Sequence, residues 1–363
     1  MANPRIGIIT GGGDAPGLNA VIRAVVKTAA MDSGAEIIGI ADGFDGLFDA
    51  GGVRPLTLAD VHGILPRGGT ILGAANRGNP FAREARQPDG TTKVVDMSDQ
   101  VVHALDVLHL TCLIVVGGDG TLRIGLDLSH KGVPVVGIPK TIDNDVGGTE
   151  TTFGFDTALT TATEALDKLH TTAESHHRAM VVELMGRDAG FLTLHSGVAG
   201  GADVILIPEI PFQFESVCRK VNERASAGSK FSILAVAEGA YPRGEEPIYA
   251  TAGDEVRTAR LGGIGTLVGR VVAERCQTET RVTVLGHLQR GGRPTPFDRW
   301  LATRFGAAAM RTALQNRYGQ MVALRNGAIV NIPLADALAS PKRVALESDG
   351  VRTARGLGIS LGD

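Results

Sequence analysis

The chain has 363 residues, enough for two compact domains with a cleft between them. Hydrophobic residues at 43% supply ample core, whereas aromatics at only 4% argue against a surface built of stacking platforms. A formal net charge of −3 gives no support for a nucleic-acid or membrane-surface partner, so any anion must be met by locally clustered Arg and Lys.

The N-terminal run MANPRIGIITGGGD enters a strand and a Gly-rich turn at once, which leaves no room for a signal peptide. That strand, Ile6 to Thr10, precedes a helix-period segment from Leu18 to Met31. Segments 42–52 and 81–92 read as surface loops or hairpins. Strands follow at Cys112 to Val116 and Val133 to Ile138, then a helix from Phe155 to Thr172 and a strand from Ala179 to Leu184. A helix from Glu215 to Ala227, strands at Ser232 to Ala237 and Arg281 to Leu285, and a helix from Pro296 to Asn316 complete the pattern. Such short, continuous apolar runs are buried on both faces, which means parallel sheets covered by helices. The expectation is an α/β protein of two doubly wound, Rossmann-like domains with the active site in the cleft between them. The strand groups change near residues 147–155. This divides the chain into 1–154 plus 288–335 and 155–287 plus 336–363.

The three cysteines, Cys112, Cys218 and Cys276, lie far apart with no C-x-x-C, which suits inert thiols in a reducing compartment. No apolar run approaches the ~18 residues needed to span a bilayer. The expected location is the cytoplasm.

Three Gly-rich segments follow strands, where open α/β sheets place ligands. Gly11, Gly12, Gly13 and Asp14 let backbone N–H groups approach a phosphate, and Pro16 opens a helix whose positive end favours anions. A plain strand-to-helix turn explains them equally well, and the glycine spacing misses the dinucleotide fingerprint by one residue. The second segment, Gly117, Gly118, Asp119, Gly120 and Thr121, is sharper. A carboxylate on such a turn suits a Mg²⁺–phosphate site, because Mg²⁺ takes one or two carboxylates plus phosphate oxygens. The third runs through Lys140, Thr141, Asp143, Asn144 and Asp145. One Asp could abstract a hydroxyl proton while Lys140 neutralises charge on a transferring group.

Further on come Arg178, then Met185, Gly186 and Arg187, then Glu238, and finally Arg281, His287 and Arg290. Arginine forks bind phosphate bidentately, so arginines sharing positions after strands read as a sugar-phosphate clamp. Each alone would be an ordinary surface salt-bridge partner.

The strings GGGDAPGLNAVIRA, GGTILG, VVGGDGT, GIPKTIDNDVGGTETTFGFDTA, VELMGRDAGFLTL, AEGA and VLGHLQRGG occur in this order. Through them the chain resembles the 6-phosphofructokinase family from Gly7 to about Arg304. The resemblance implies transfer of a phosphoryl group to the 1-hydroxyl of fructose 6-phosphate, with Mg²⁺ as cofactor. It makes Asp143 the base, assisted by Lys140 and Arg187, and Asp119 the Mg²⁺ ligand. Gly12, Gly13, Gly118, Gly120 and Thr121 fall on the donor side. Thr141, Met185, Gly186, Arg187, Glu238, His287 and Arg290 match sugar-phosphate contacts. Arg178 and Arg281 match arginines that the family reaches across from a neighbouring subunit, which implies a homotetramer or homodimer with shared sites. A nucleotide-contacting arginine maps to Arg77, although AANRGNP is one residue longer than the family pattern and Asn76 could take its place.

The donor turns on two positions. Pyrophosphate users resemble this chain at Lys140, where many bacterial ATP enzymes carry Gly. They also carry Asp at the position of Gly120, where a carboxylate would crowd and repel the α-phosphate of ATP. Gly120 therefore reads as ATP, and Lys140 keeps pyrophosphate as the alternative. GGDGT occurs in NAD and lipid kinases too, but those do not account for PKTIDND or HLQRGG.

Overall fold

The computed structural model describes residues 3–75, 78–86, 91–251 and 260–363. The chain begins β1 (Arg5–Thr10), α1 (Leu18–Asp32), β2 (Glu36–Ile40) and β3 (Val53–Leu56). A hairpin of β4 (Arg83–Arg86) and β5 (Thr92–Val95) leads to α2 (Ser98–Val107), β6 (Cys112–Gly117), α3 (Asp119–His130) and β7 (Val135–Thr141). The second group holds β8 (Phe153–Gly154), α4 (Phe155–His176), β9 (Ala179–Leu184), α5 (Phe191–Ala199), β10 (Val204–Leu206), α6 (Phe214–Ser226) and β11 (Ser232–Ala237). It continues with the short pair β12 (Tyr249–Thr251) and β13 (Arg260–Leu261), then α7 (Ile264–Cys276) and β14 (Thr280–Val284). Last come α8 (Pro296–Leu314), β15 (Gln320–Arg325), β16 (Ala328–Pro333), α9 (Leu334–Ala337) and α10 (Asp349–Gly356).

Two sheets organise these elements. One has the order β16-β15-β7-β6-β1-β2-β3, with β8 beside the end of β7; the other has the order β10-β11-β9-β14. Alternate residues of β1 and β6 enter opposite cores: Ile6, Ile8, Ile114 and Val116 face one layer, and Ile9, Leu113 and Val115 the other. The second sheet is packed the same way, with Met180 and Val182 on one face and Ala179 and Val181 on the other. Each such fully buried aliphatic side chain contributes roughly 1.5–3 kcal/mol. A smaller cluster of Ala15, Ile142, Phe155, Ala158 and Leu192 joins the two halves.

The expectation of parallel strands holds for the sheet interiors and fails at both edges of the larger sheet. There β3 and β16 run antiparallel to their neighbours. The β15–β16 reversal turns on Asn326 and Gly327, both at positive φ (49° and 74°), the two-residue turn whose twist suits a hairpin. Strand β7 also runs beyond Ile138 to Thr141, so Lys140 is a strand residue rather than part of the following loop. After β8 and α4 the chain enters the second sheet, and α8 carries it back to β15. The C-terminal segment then returns to the second sheet, where Ser360 bridges to Val204.

Candidate active site

The ends of β1, β6 and β7 surround a cleft of about 500 Å³. Gly11, Gly12, Gly13, Gly118, Asp119, Gly120, Thr121, Lys140, Thr141, Asp145 and Arg290 line it, so it gathers the three Gly-rich segments. Gly12 has φ 73°, which favours glycine, and a Cβ on Gly13 would lie 2.8 Å from Arg290 Nη1. The helix whose start faces the cleft is α3. Residues 119–121 form its first turn, whose N–H groups have no intrahelical acceptor. Helix α1 begins at Leu18 behind Gly17, and residues 16–18 are not among the described residues that line the cleft. Of the two helix starts expected near phosphates, behind Pro16 and at Thr121, the second lines the cleft, because the turn after β1 spends several more residues before α1 starts.

Lys140 is 3% exposed, and its ammonium donates to the Gly13 carbonyl, joining β7 to the glycine turn. Burial lowers its basicity to about 8; Arg290 adds to the fall, and Asp14, Asp143 and Asp145 oppose it. Asp143 follows one turn later, its N–H donating to Thr141 Oγ1 at 3.0 Å. Its Oδ1 is shut off from solvent with no hydrogen-bond partner. Burial pushes this carboxyl up to about 7, the charge of Asp145 adds to the rise, and Arg290 opposes it. Asp145 is also raised, by burial first, against its hydrogen bonds and with the charge of Asp119 adding to the rise. Asp119 itself pairs with Arg123 at 3.3 Å.

The second sheet supplies the facing residues. Glu238 N–H donates to the Leu184 carbonyl at 2.8 Å and Gly239 N–H to the Gly186 carbonyl at 3.2 Å, so the ends of β9 and β11 bring Met185, Gly186 and Glu238 together. The buried Gln289 accepts from Met185 N–H at 3.4 Å and ties in the turn that carries His287 and Arg290. Arg290 crosses to the first sheet, donating to the Asp14 carbonyl at 3.2 Å. Glu238 is raised by burial and by the nearby charge of Glu183, against Arg290 and Arg187. Arg187 is half-buried, 3.6 Å from Asp188, and His287 is exposed.

Arg178 and Arg281 do not join them. Both lie at the opposite ends of β9 and β14, sharing the carboxylate of Glu279 at 3.0 and 2.5 Å. At about 3.3 Å per residue, β9 puts roughly 20 Å between Arg178 and Met185. As the strand bounds read from the sequence imply, Arg178 precedes β9 and Arg281 stands at the start of β14, so grouping them with the after-strand Arg187 and Arg290 in one clamp does not hold within this chain. Arg77 and Asn76 lie outside the described residues, although Ala75, Gly78 and Asn79 line the cleft. Arg123 and Ile124, which follow the Asp119 motif, also line it, as do Phe44 and Asp127, which sequence reasoning passed over. Asp145 stood in view within the D-N-D run and Ile124 just after the GGDGT turn, whereas nothing local marks Phe44.

The phosphofructokinase family model matches residues 5–313. The chain belongs to the phosphofructokinase family. It is 55% identical over 359 residues to the ATP-dependent 6-phosphofructokinase of Chloroflexus aurantiacus, covering 99% of this chain and 98% of that one. It is 49% identical over 342 residues to the pyrophosphate–fructose 6-phosphate 1-phosphotransferase of Streptomyces coelicolor, covering 94% and 96%. Among solved structures, a phosphofructokinase of Saccharomyces cerevisiae superposes with a TM-score of 0.79 at 30% identity, over 93% of this chain and 45% of that longer one.

As a phosphofructokinase the chain is a phosphotransferase, and its relatives use either donor. The environment of Gly120 therefore matters. Gly120 is exposed at the start of α3, and a Cβ there meets nothing within 4 Å. A side chain has room at this position, which is itself part of the cleft lining. Asp119 beside it, with Asp145 also lining the cleft, makes a hard oxygen donor set that fits Mg²⁺ completed by phosphate oxygens. Among the described residues no group of three metal-binding side chains forms. No described helix is long and apolar enough to cross a membrane.

Proposed function

We propose that this chain is an ATP-dependent 6-phosphofructokinase, transferring the γ-phosphoryl group to the 1-hydroxyl of fructose 6-phosphate. The observation that carries the reading is the buried, unpartnered Oδ1 of Asp143 beside a glycine-lined cleft. A carboxylate poised near pH 7 and lacking a protein donor is suited to take the sugar's hydroxyl proton. Lys140, Arg290 and the first-turn N–H groups of α3 oppose the charge of the transferring group. Asp119 and Asp145 would hold Mg²⁺, which when bound neutralises charge on the donor phosphates.

ATP is favoured because the cleft extends beyond the Gly-rich turns to Phe44, Ala75, Asn79, Arg123, Ile124 and Asp127, a mixed apolar and polar lining that pyrophosphate would leave unused. Met185, Gly186, Arg187, Glu238, His287 and Arg290 would hold the sugar phosphate between the halves 1–154 plus 288–335 and 155–287 plus 336–363. Arg178 and Arg281, far from their own cleft, would serve that of a second copy in a homodimer or homotetramer. Val282 and Val284, 37% and 55% exposed on the edge strand beside Arg281, favour burial against another chain. A coupled assay with each donor tests the reading. Turnover with ATP is expected, and turnover with pyrophosphate but none with ATP overturns the donor assignment.

A further inference from the structure

The family match ends at residue 313, yet the chain beyond it returns to the cleft. Segment 338–344 passes across the edges of both halves. The Leu338 carbonyl accepts from Arg123 Nη2 at 3.0 Å, and the same guanidinium pairs with Asp119. Lys342 N–H donates to the Asp145 carbonyl at 2.7 Å. Its ammonium donates to Asn144 Oδ1 at 2.9 Å and to the carbonyls of Thr149 and Glu150 at 3.1 and 2.9 Å. Val344 N–H then reaches Glu209 Oε1 at 2.8 Å, on a carboxylate that also accepts from Gly190 N–H at 3.0 Å.

These bonds converge on Asn144, which stands between Asp143 and Asp145 with φ 55°. Asparagine tolerates this left-handed conformation better than most residues, but surrounding bonds must hold it. Its amide oxygen accepts from Thr152 N–H at 3.1 Å and from Lys342. An ammonium has three N–H donors, and all three are committed to this one loop. Lys342 Nζ also lies 5.2 Å from the centre of the Phe191 ring, which further limits its orientation.

We propose that Lys342 is a positioning residue for the base-carrying loop: it touches no reacting atom and holds Asn144 in the turn that carries Asp143 beside the cleft, between Thr141 and Asp145 that line it. The proposal deepens the phosphofructokinase reading and rests on it for the identity of the base. Small displacements of a reacting group cost up to about 10²-fold in rate. Lys342→Met is therefore expected to lower kcat by about tenfold to a hundredfold, with KM for ATP and fructose 6-phosphate changed less than about twofold. Amide hydrogen exchange should quicken in residues 143–152 and stay as in the wild type in β1 and β6. Should the methionine variant fail to fold, Lys342→Gln retains a donor and gives the same two readouts. An unchanged kcat, or exchange that quickens uniformly across the chain, overturns the proposal. Because exchange is read without substrate, a wild type inactive with both donors would sink the functional reading and leave the brace separately tested.

Discussion

The two sheets present their charged residues in opposite ways. The first brings Gly11 to Gly13, Asp119, Lys140 and Asp145 to one set of strand ends, already cross-bonded within a single chain. The second divides its set: Met185, Gly186 and Glu238 stand at the cleft end, and Arg178 and Arg281 at the far end on Glu279. The first half draws its residues from one chain, braced by the returning C-terminal segment at Lys342. In the proposed oligomer the second half would depend on the copy that covers the edge of β14.

The largest effect should come from the first half. Asp143→Asn is expected to lower kcat by ~10²–10⁴, the contribution of a positioned general base, with little change in KM. An unchanged kcat removes Asp143 from the mechanism and leaves its buried Oδ1 without a role.

Gly120→Asp comes next. The open space at this position lets the carboxylate in without backbone strain, so its effect is electrostatic. Like charges a few ångströms apart in a partly screened cleft cost on the order of 1–4 kcal/mol. We expect kcat/KM for ATP to fall roughly tenfold to a hundredfold, with the KM of fructose 6-phosphate unmoved. Equal losses for both substrates would make Gly120 a turn residue only.

Arg281→Ala probes the second half and should raise the KM of fructose 6-phosphate about tenfold, the size of one charge-assisted hydrogen bond. Its partnership can be separated from local structure by mixing. Assemblies formed from Arg281→Ala and Asp143→Asn chains should contain some sites with both residues intact and regain part of the activity. Mixtures no more active than their parents would place Arg281 outside any shared site.

The same contrast governs what could be read in the sequence. Strands Ala179–Leu184 and Ser232–Ala237 were legible to the residue, because their apolar runs are buried on both faces. The edge strands Val53–Leu56 and Ala328–Pro333 were not, since Arg54 and Asn331 interrupt their apolar pattern and Pro55 removes a ladder donor. Asn326–Gly327 was the available hairpin signal for the second of them. At the site, contiguous motifs revealed the Gly-rich turns and Asp143. Lys342 lies nearly two hundred residues from Asn144, and no local pattern announces a bond that only the return of the C-terminal segment creates. The strand bounds already put Arg178 before Ala179–Leu184 and Arg281 at the start of its strand, and only grouping them with Arg187 and Arg290 as one clamp obscured that they lie at the other end of the sheet.

The smallest effect expected is a pH dependence that again distinguishes the halves. Asp143 must be ionised to accept a proton, and burial raises it to about 7, so activity should fall as pH drops through about 7. Lys140 must be protonated to oppose phosphate charge, and burial lowers it to about 8, so activity should also fall as pH rises through about 8. The profile of kcat/KM is then a narrow bell whose two limbs both belong to the first half, and it changes rate by less than about tenfold within a unit of its centre. Lys140→Gln should lose the alkaline limb and keep the acid one. Arg281→Ala should lower the whole curve without moving either limb, because its proposed role is to hold the sugar phosphate and neither limb is its own titration. An acid limb near pH 4, in the ordinary carboxylate range, would mean that the group setting it is solvated and is not the buried Asp143.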